Sequence, residues 1–440
     1  MNKLHRTGLC AFFVFLMACS ASRTGLGAQK WRQLIAENPV FAQSHCGFVL
    51  YDLEKQRTVY SHNGERYFTP ASNAKIFTLY TSLRMLSDSI PALKYAVRRD
   101  SLFFWGTGDP SFLHPDLKST RAYDFLNRRP EKLFYISAPY EGAHFGPGWA
   151  WDDYNDADSP EKALFPAYGN FVRFALRPAG IRAQPAFFAL NVNVAPLAKT
   201  TGNAIRRDQH NNVFTYHASP TDSSTLDVPY HHSPDLLAQL LRDTLKREVA
   251  QFTFAPATAA TPGARVVYSL PADTLYRRMM QESDNFLAEQ LLLLSASTLS
   301  DTLSSERTIA YAQRTFLSDL PDKPVWVDGS GLSRYNLFTP RTLVALWLKL
   351  YQLVPRERLF ALLATGGRSG TLRNIYQQEN PFLFGKTGSL RNNHCLSGFL
   401  VTRSGKTLVF SFMHSNFVVP SSQIRKEMDR IMTEIYWKYE

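Results

Sequence analysis

Ser72 and Lys75 are three residues apart, in Pro70-Ala71-Ser72-Asn73-Ala74-Lys75-Ile76-Phe77, and that spacing suits nucleophilic chemistry. Ile76, Phe77, Leu79, Tyr80, Leu83 and Leu86 recur with the i, i+3, i+4 rhythm of an amphipathic helix. Residues three apart share a helix face, so the two side chains meet across one turn. Pro70 suits the start of such a helix, where a missing N–H costs nothing. An uncharged Lys75 amine could take the Ser72 proton, and the helix N-terminus favours the negative charge that develops. Average usage of Ser and Lys gives about one or two such pairs by chance in a chain this long. The pair therefore needs partners.

Three candidates lie downstream. Ser283-Asp284-Asn285 breaks two helical stretches, Asp273–Gln281 and Asn285–Ala296, and such a break can present a hydroxyl and an amide to a cleft. The same residues also read as a plain helix N-cap by Ser283 or Asn285. Lys386-Thr387-Gly388 sits inside an apolar strand, where lysine ordinarily marks an edge or a snorkelling side chain. Gly388 allows another group to approach the backbone closely. Asp328-Gly329-Ser330-Gly331 is by itself a loop. No metal or cofactor is expected: His231-His232 stands alone, and neither Cys-x-x-Cys nor His-Glu-x-x-His occurs. Gly106-Thr107-Gly108-Asp109-Pro110 is a turn without the strand-to-helix setting of a nucleotide loop.

The elements that must position these residues lie at the two ends of the chain. Gly47–Asp52 and Arg57–Tyr60 form a hairpin pattern ahead of the Ser72 helix. Thr339-Pro340 makes a cap and first-position pair for a helix through about Leu353. Phe382–Leu390, Cys395–Val401 and Thr407–Met413 alternate as strands, and Ser422–Tyr439 closes as an amphipathic helix. Residues 96–268 differ: prolines, aromatics and short apolar runs such as Phe134–Ile136 and Phe187–Val192 predict a mostly β insertion. The expected division is thus 31–95 with 269–440 as one α/β unit, and 96–268 as inserted domain or domains.

With 45% hydrophobic and 20% charged residues, the 440-residue chain is an ordinary globular protein. Its net charge of +12 comes without a basic run or nucleic-acid motif, so no nucleic-acid partner is expected. Lys3, His5 and Arg6 precede an apolar stretch from Leu9 to Ala18, the pattern of an export signal over residues 1–18. Leu16-Met17-Ala18-Cys19 resembles a lipobox, which would make Cys19 a lipidated N-terminus and residues 19–30 a tether to a membrane. The competing reading is an ordinary signal cleaved after Ala21 or Ala28. Cys46 and Cys395 remain in the exported chain, and they read as two buried thiols or, in an oxidising compartment, as a pair.

Ser-x-x-Lys, Ser-x-Asn and Lys-Thr-Gly in this order resemble the active site of penicillin-interacting serine enzymes. Pro-Ala-Ser-Asn-Ala-Lys, Glu-Ser-Asp-Asn-Phe-Leu-Ala-Glu, Asp-Gly-Ser-Gly-Leu-Ser-Arg, Ser369–Leu372, Lys-Thr-Gly-Ser-Leu and Leu396–Phe399 narrow the likeness. They are similar to the D-alanyl-D-alanine carboxypeptidase/endopeptidase family, the class C low-molecular-mass penicillin-binding proteins, over roughly residues 45–415. That family carries a long insertion between its first two motifs, as here. The resemblance implies a transpeptidase/β-lactamase-like fold, with an antiparallel sheet flanked by helices, in a periplasmic enzyme that β-lactams inhibit covalently.

It also implies roles. Ser72 would be the acylated nucleophile, Lys75 its base and Ser283 the proton relay to the leaving amine. Asn285 would orient substrate and Lys75, and Lys386 with Thr387 would hold the terminal carboxylate of a peptidoglycan stem peptide. The Ser72 and Ser389 N–H groups would form the oxyanion hole beside Gly388, and Arg334 and Asp153 would contact the stem. A β-lactamase is the competing enzyme, although no Glu-x-x-Leu-Asn segment follows Ser283. A β-lactam-binding sensor or scaffold that acylates without turnover is the alternative of another class.

Overall fold

The strand Asn393–Val401 is apolar on both faces of its pleat, and its side chains divide between two cores. Cys395 and Phe399 enter one core, Leu396 and Leu400 the other. The computed structural model describes residues 26–137, 140, 142–177, 180–196, 204–218, 223–253, 263–300 and 302–440. In it this strand lies inside a six-stranded antiparallel sheet, in the order Ala364–Thr365, Leu383–Leu390, Asn393–Val401, Thr407–Ser415, His45–Asp52, Arg57–His62. An antiparallel sheet covered on both faces needs apolar residues at every central position, which explains the unbroken burial of Cys395–Leu400.

Helices Ala74–Met85, Ala272–Gln281, Asn285–Ala296, Pro340–Leu353 and Arg356–Leu362 cover the first face. Ala28–Leu34 and Ser421–Lys438 cover the second, through Trp31, Leu34, Ile424, Met428 and Ile435. Strand His45–Asp52 pairs along its whole length with Thr407–Ser415, so the two ends of the chain build one α/β body.

Among the described residues, the middle of the chain builds three further sheets. A five-stranded mixed sheet takes the order Val249–Thr253, Lys132–Ser137, Ser101–Gly106, Ser89–Arg98, Arg265–Pro271. Two three-stranded sheets, built from residues between 171 and 229, share a core around Phe174, Phe188, Phe214 and Tyr230. Expected junctions at 95/96 and 268/269 therefore fall inside the strands Ser89–Arg98 and Arg265–Pro271. The apolar run at 187–192 is mostly a 3-10 turn, Ala186–Asn191, that buries Phe188 alone, and only Val192 begins a strand. Helix Arg121–Arg128 interrupts the β pattern, with Ala122 and Leu126 buried and its charges outward.

At the N-terminus a helix starts at Ala28, inside the expected tether, because Trp31 stacks on Tyr60 and Lys30 reaches Glu434 at 3.2 Å. The signal 1–18, Cys10, Cys19 and the remaining tether to residue 25 lie outside the described residues. Cys46 and Cys395 are free, buried thiols. Among the described residues no helix is long and apolar enough to cross a membrane.

Candidate active site

Ser72 occupies a single 3-10 turn, Ala71–Asn73, at the head of the helix Ala74–Met85. Two glycines let flanking segments close on that turn. Gly331 has φ +85°, and a Cβ there would stand 1.9 Å from the Ala71 carbonyl oxygen. A Cβ on Gly388 would stand 2.5 Å from the Pro70 carbonyl oxygen and 2.9 Å from the Ser72 nitrogen. Asn73 then ties the turn to the sheet. Its Nδ2 donates to the Lys386 carbonyl at 3.2 Å, and its Oδ1 accepts from Ser397 Oγ at 2.6 Å. Ser397 in turn accepts from Trp347 Nε1 at 2.9 Å. No motif marks Asn73 in the sequence. Its signal was a polar side chain on an otherwise apolar helix face, one residue from Ser72.

Lys75 is fully buried and its Nζ has three oxygen partners. They are Ser72 Oγ at 2.9 Å, Asn285 Oδ1 at 2.6 Å and the Ser330 carbonyl at 2.6 Å. Burial pulls its pKa down to about 8, against the opposing pull of Asp328, Glu289, Asp284 and Asp158. The uncharged amine keeps two donors for Asn285 and Ser330 and can turn its lone pair to the Ser72 hydroxyl.

The break at Ser283-Asp284-Asn285 is capped by the residue between the two candidates. Asp284 Oδ1 accepts from the Leu287 N–H at 3.0 Å, and its Oδ2 accepts from Arg278 Nε at 2.9 Å. A capping serine or asparagine would have spent its own oxygen on the backbone. With Asp284 in that task, Ser283 and Asn285 are left for the cleft. Ser283 sits at φ +62°, in the sparsely populated left-handed region, with its Oγ accepting from Lys386 Nζ at 2.8 Å. Lys386 also donates to the Thr387 carbonyl at 2.8 Å. Its strand is not an edge, and its head does not reach solvent. Burial, and then the charge of Lys75, push its pKa well below the usual lysine value.

A cleft of about 350 Å³ is lined by Ser72, Ser283, Asn285, Thr387, Ser389 and Leu332, among others, while the buried Lys75 and Lys386 do not line it. The inserted residues Asp153, Asp156, Asp158 and Ser159 form another wall. Asn285 Nδ2 holds this wall by donating to the Asp158 carbonyl at 3.1 Å. Arg334 does not line the cleft. It is exposed, donates to the Arg391 carbonyl at 3.4 Å, and lies near enough to Asp153 to oppose the rise in that carboxyl's pKa, which burial leads.

Two further acids lie behind Lys75, Glu289 inside the helix Asn285–Ala296 and Asp328 at the head of the Ser330 loop. Asp328 accepts from the N–H groups of Gly331 and Ser333 and from Trp149 Nε1, which folds the Ser330 loop. Glu289 accepts from the Ser330 N–H at 2.8 Å and so aims the Ser330 carbonyl at Lys75. Burial and then the Asp328 charge push the Glu289 carboxyl up to about 7. Among the described residues no cluster of three or more His, Cys, Asp or Glu is placed to hold a metal ion.

The arrangement supplies a hydroxyl beside a depressed-pKa amine, a second hydroxyl on a second buried amine, and backbone N–H groups where Gly388 meets Ser72. That set can perform acyl transfer at a carbonyl whose substrate carries a carboxylate.

Comparisons with known proteins agree with this chemistry. The family model for D-Ala-D-Ala carboxypeptidase 3 (S13) matches residues 28–435. The D-alanyl-D-alanine carboxypeptidase DacB of Haemophilus influenzae is 21% identical over 406 residues, 83% of this chain and 84% of that protein. Carboxypeptidase DacB of Mycolicibacterium smegmatis is 32% identical over 164 residues, a match that spans only 35% of its length and 34% of this chain. The crystal structure of penicillin binding protein 4 (dacB) from H. influenzae superposes with a TM-score of 0.74 at 18% identity, covering 93% of this chain and 99% of that one. The match through residues 28–435 takes in the inserted sheets as well as the motif-bearing ends, and the chain belongs to the D-Ala-D-Ala carboxypeptidase 3 (S13) family.

Proposed function

We propose that this protein is a serine D,D-peptidase that acts on peptidoglycan stem peptides, releasing terminal D-Ala or cutting D-Ala–diamino-acid cross-links. The observation that carries the reading is the three-way hydrogen bonding of Lys75, which joins Ser72, Asn285 and the Ser330 loop at one nitrogen. In this reading neutral Lys75 takes the Ser72 proton, and Ser72 Oγ attacks the D-Ala carbonyl. The oxyanion is held by the N–H groups of Ser72 and Ser389, close to the Gly388 contact. Ser283 passes a proton to the departing amine. Lys386 and Thr387 hold the carboxylate of the leaving residue, and water then hydrolyses the acyl group from Ser72. β-Lactams acylate the same serine and inhibit.

The chain is further read as an exported lipoprotein held to a membrane through Cys19, on the strength of Leu16-Met17-Ala18-Cys19. The aspartate wall supports a role for Asp153 in contacting the stem, with Arg334 at its margin.

Incubation with a pentapeptide ending in D-Ala-D-Ala tests the function. Free D-Ala is expected, and Lys386→Ala should impair release roughly ten- to a hundredfold in kcat/KM. A substrate amidated at its terminus should be poor for the parent and hardly worse for the variant. Equal losses on both substrates would withdraw the carboxylate-holding role from Lys386, and no D-Ala from the parent would withdraw the function.

A further inference from the structure

A second and larger cavity of about 650 Å³ adjoins the catalytic cleft. Thr371, Thr387 and Ser389 line both, so the two spaces meet at Thr387, assigned to the leaving residue's carboxylate, and at Ser389, assigned to the oxyanion. Thr371 and Thr387 join across that boundary, Oγ1 to Oγ1, at 2.7 Å. Their walls differ in charge. Asp153, Asp156 and Asp158 face the cleft, whereas Arg373 and Arg425 line the second cavity. Arg373 is paired with Glu282 at 2.8 Å, and Arg425 is exposed near the start of the helix Ser421–Lys438. Its charge bears on the buried His394 ring, which lies 2.8 Å from Ser389 Oγ through Nδ1.

A single departing D-Ala leaves this space unused. Its carboxylate ends at Thr387 and its side chain is one methyl group. A cavity of this size matches a ligand of several residues. A cross-linked substrate supplies one, because its leaving amine is borne on a diamino acid within a second stem peptide. That stem carries further free carboxylates. We infer that the Arg373–Arg425 cavity is the subsite for the departing strand of a cross-linked substrate, an anionic peptide whose carboxylates pair with these two arginines. The inference rests on the D,D-peptidase reading above. The bond changes are the same for both substrates: Ser72 Oγ bonds to the D-Ala carbonyl carbon, the C–N bond breaks, and the amine departs with a proton. Only the length and charge of the departing group differ.

The test compares Arg425→Glu, Arg425→Lys and the parent on two probes, a monomeric pentapeptide and a cross-linked stem-peptide dimer, in the full chain. Arg425→Glu should lower kcat/KM on the dimer about tenfold, since an arginine–carboxylate pair at a partly exposed site is replaced by repulsion. It should leave D-Ala release from the monomer within about twofold, which also shows that the variant is folded. Arg425→Lys should stay near the parent on both. A dimer whose departing stem is amidated at its carboxylates should be indifferent to Arg425→Glu. Equal effects on both probes, no effect on the dimer, or a parent that cuts only the monomer would overturn the subsite. A parent that cuts neither probe would overturn the D,D-peptidase reading and the subsite with it.

Discussion

Gly388→Ala puts the clamp on the Ser72 turn to a quantitative test. An added Cβ would lie 2.5 Å from the Pro70 carbonyl oxygen, about 0.9 Å short of the 3.4 Å where ordinary contact begins. It would also lie 2.9 Å from the Ser72 nitrogen and 3.0 Å from Asn73 Nδ2. The first two are backbone atoms that cannot rotate away, so the strand and the Ser72 turn must part by several tenths of an ångström. Overpacking of this kind costs roughly 1–3 kcal/mol of stability. Its catalytic cost is of similar size, because misplacing a nucleophile by about 1 Å can cost about a hundredfold, or about 2.7 kcal/mol. The shift also opens the space where the proposed oxyanion hole, the N–H groups of Ser72 and Ser389, would form. The assay is the second-order rate of covalent labelling by penicillin, measured with the thermal midpoint of the same preparation. A roughly hundredfold slower acylation in a protein that still unfolds cooperatively is the expected result. Parental acylation would show that the Gly388 contact does not set the position of Ser72, and the reasoning would fail.

Further outcomes follow from the same geometry. Acylation should rise with pH through the Lys75 pKa near 8, because only the uncharged amine can accept the Ser72 proton. Glu289→Gln removes an anion that raises the Lys75 pKa, so the acid limb of that profile should move to lower pH. A profile that does not move would leave Glu289 a purely structural residue. Binding of a carboxylate-terminated, non-hydrolysable peptide should take up a proton at pH values above the depressed Lys386 pKa, since the arriving anion favours the charged amine. Calorimetry in buffers of differing ionisation enthalpy measures that uptake. Asp284→Ala should lower stability by about 1 kcal/mol through loss of the helix cap and slow acylation as well. Asp284→Asn, which can still cap, should recover most of the stability.

The candidate catalytic groups were legible because each motif fixes a local geometry. Ser72 and Lys75 are joined by helix periodicity alone, and Lys386 was conspicuous as a charge in an apolar strand with no structural task. The strands around Lys386 were legible for the same reason, since alternation and turn residues are local signals. What lay beyond reach depends on which long-range partner wins. Whether Ser283, Asp284 or Asn285 caps the helix is decided by Arg278, which draws in the Asp284 carboxylate. Asn73 and Glu289 act through hydrogen bonds to residues far along the chain, Ser397 and Ser330, and no spacing rule announces such contacts. In the insertion, Phe187–Val192 has strand-like composition, yet the tertiary core fully buries only Phe188 and leaves most of the segment a turn. The helix at Arg121–Arg128 was hidden because only Ala122 and Leu126 mark its buried side.

The central claim is that Ser72 becomes acylated with Lys75 as its base. Intact-mass analysis after incubation with penicillin, followed by peptide mapping, tests it most directly. One adduct per chain is predicted, on the peptide containing Ser72. It should be absent in Ser72→Ala and form roughly 10²–10⁴-fold more slowly in Lys75→Ala. An adduct on any other residue, or undiminished labelling of Ser72→Ala, would contradict the account.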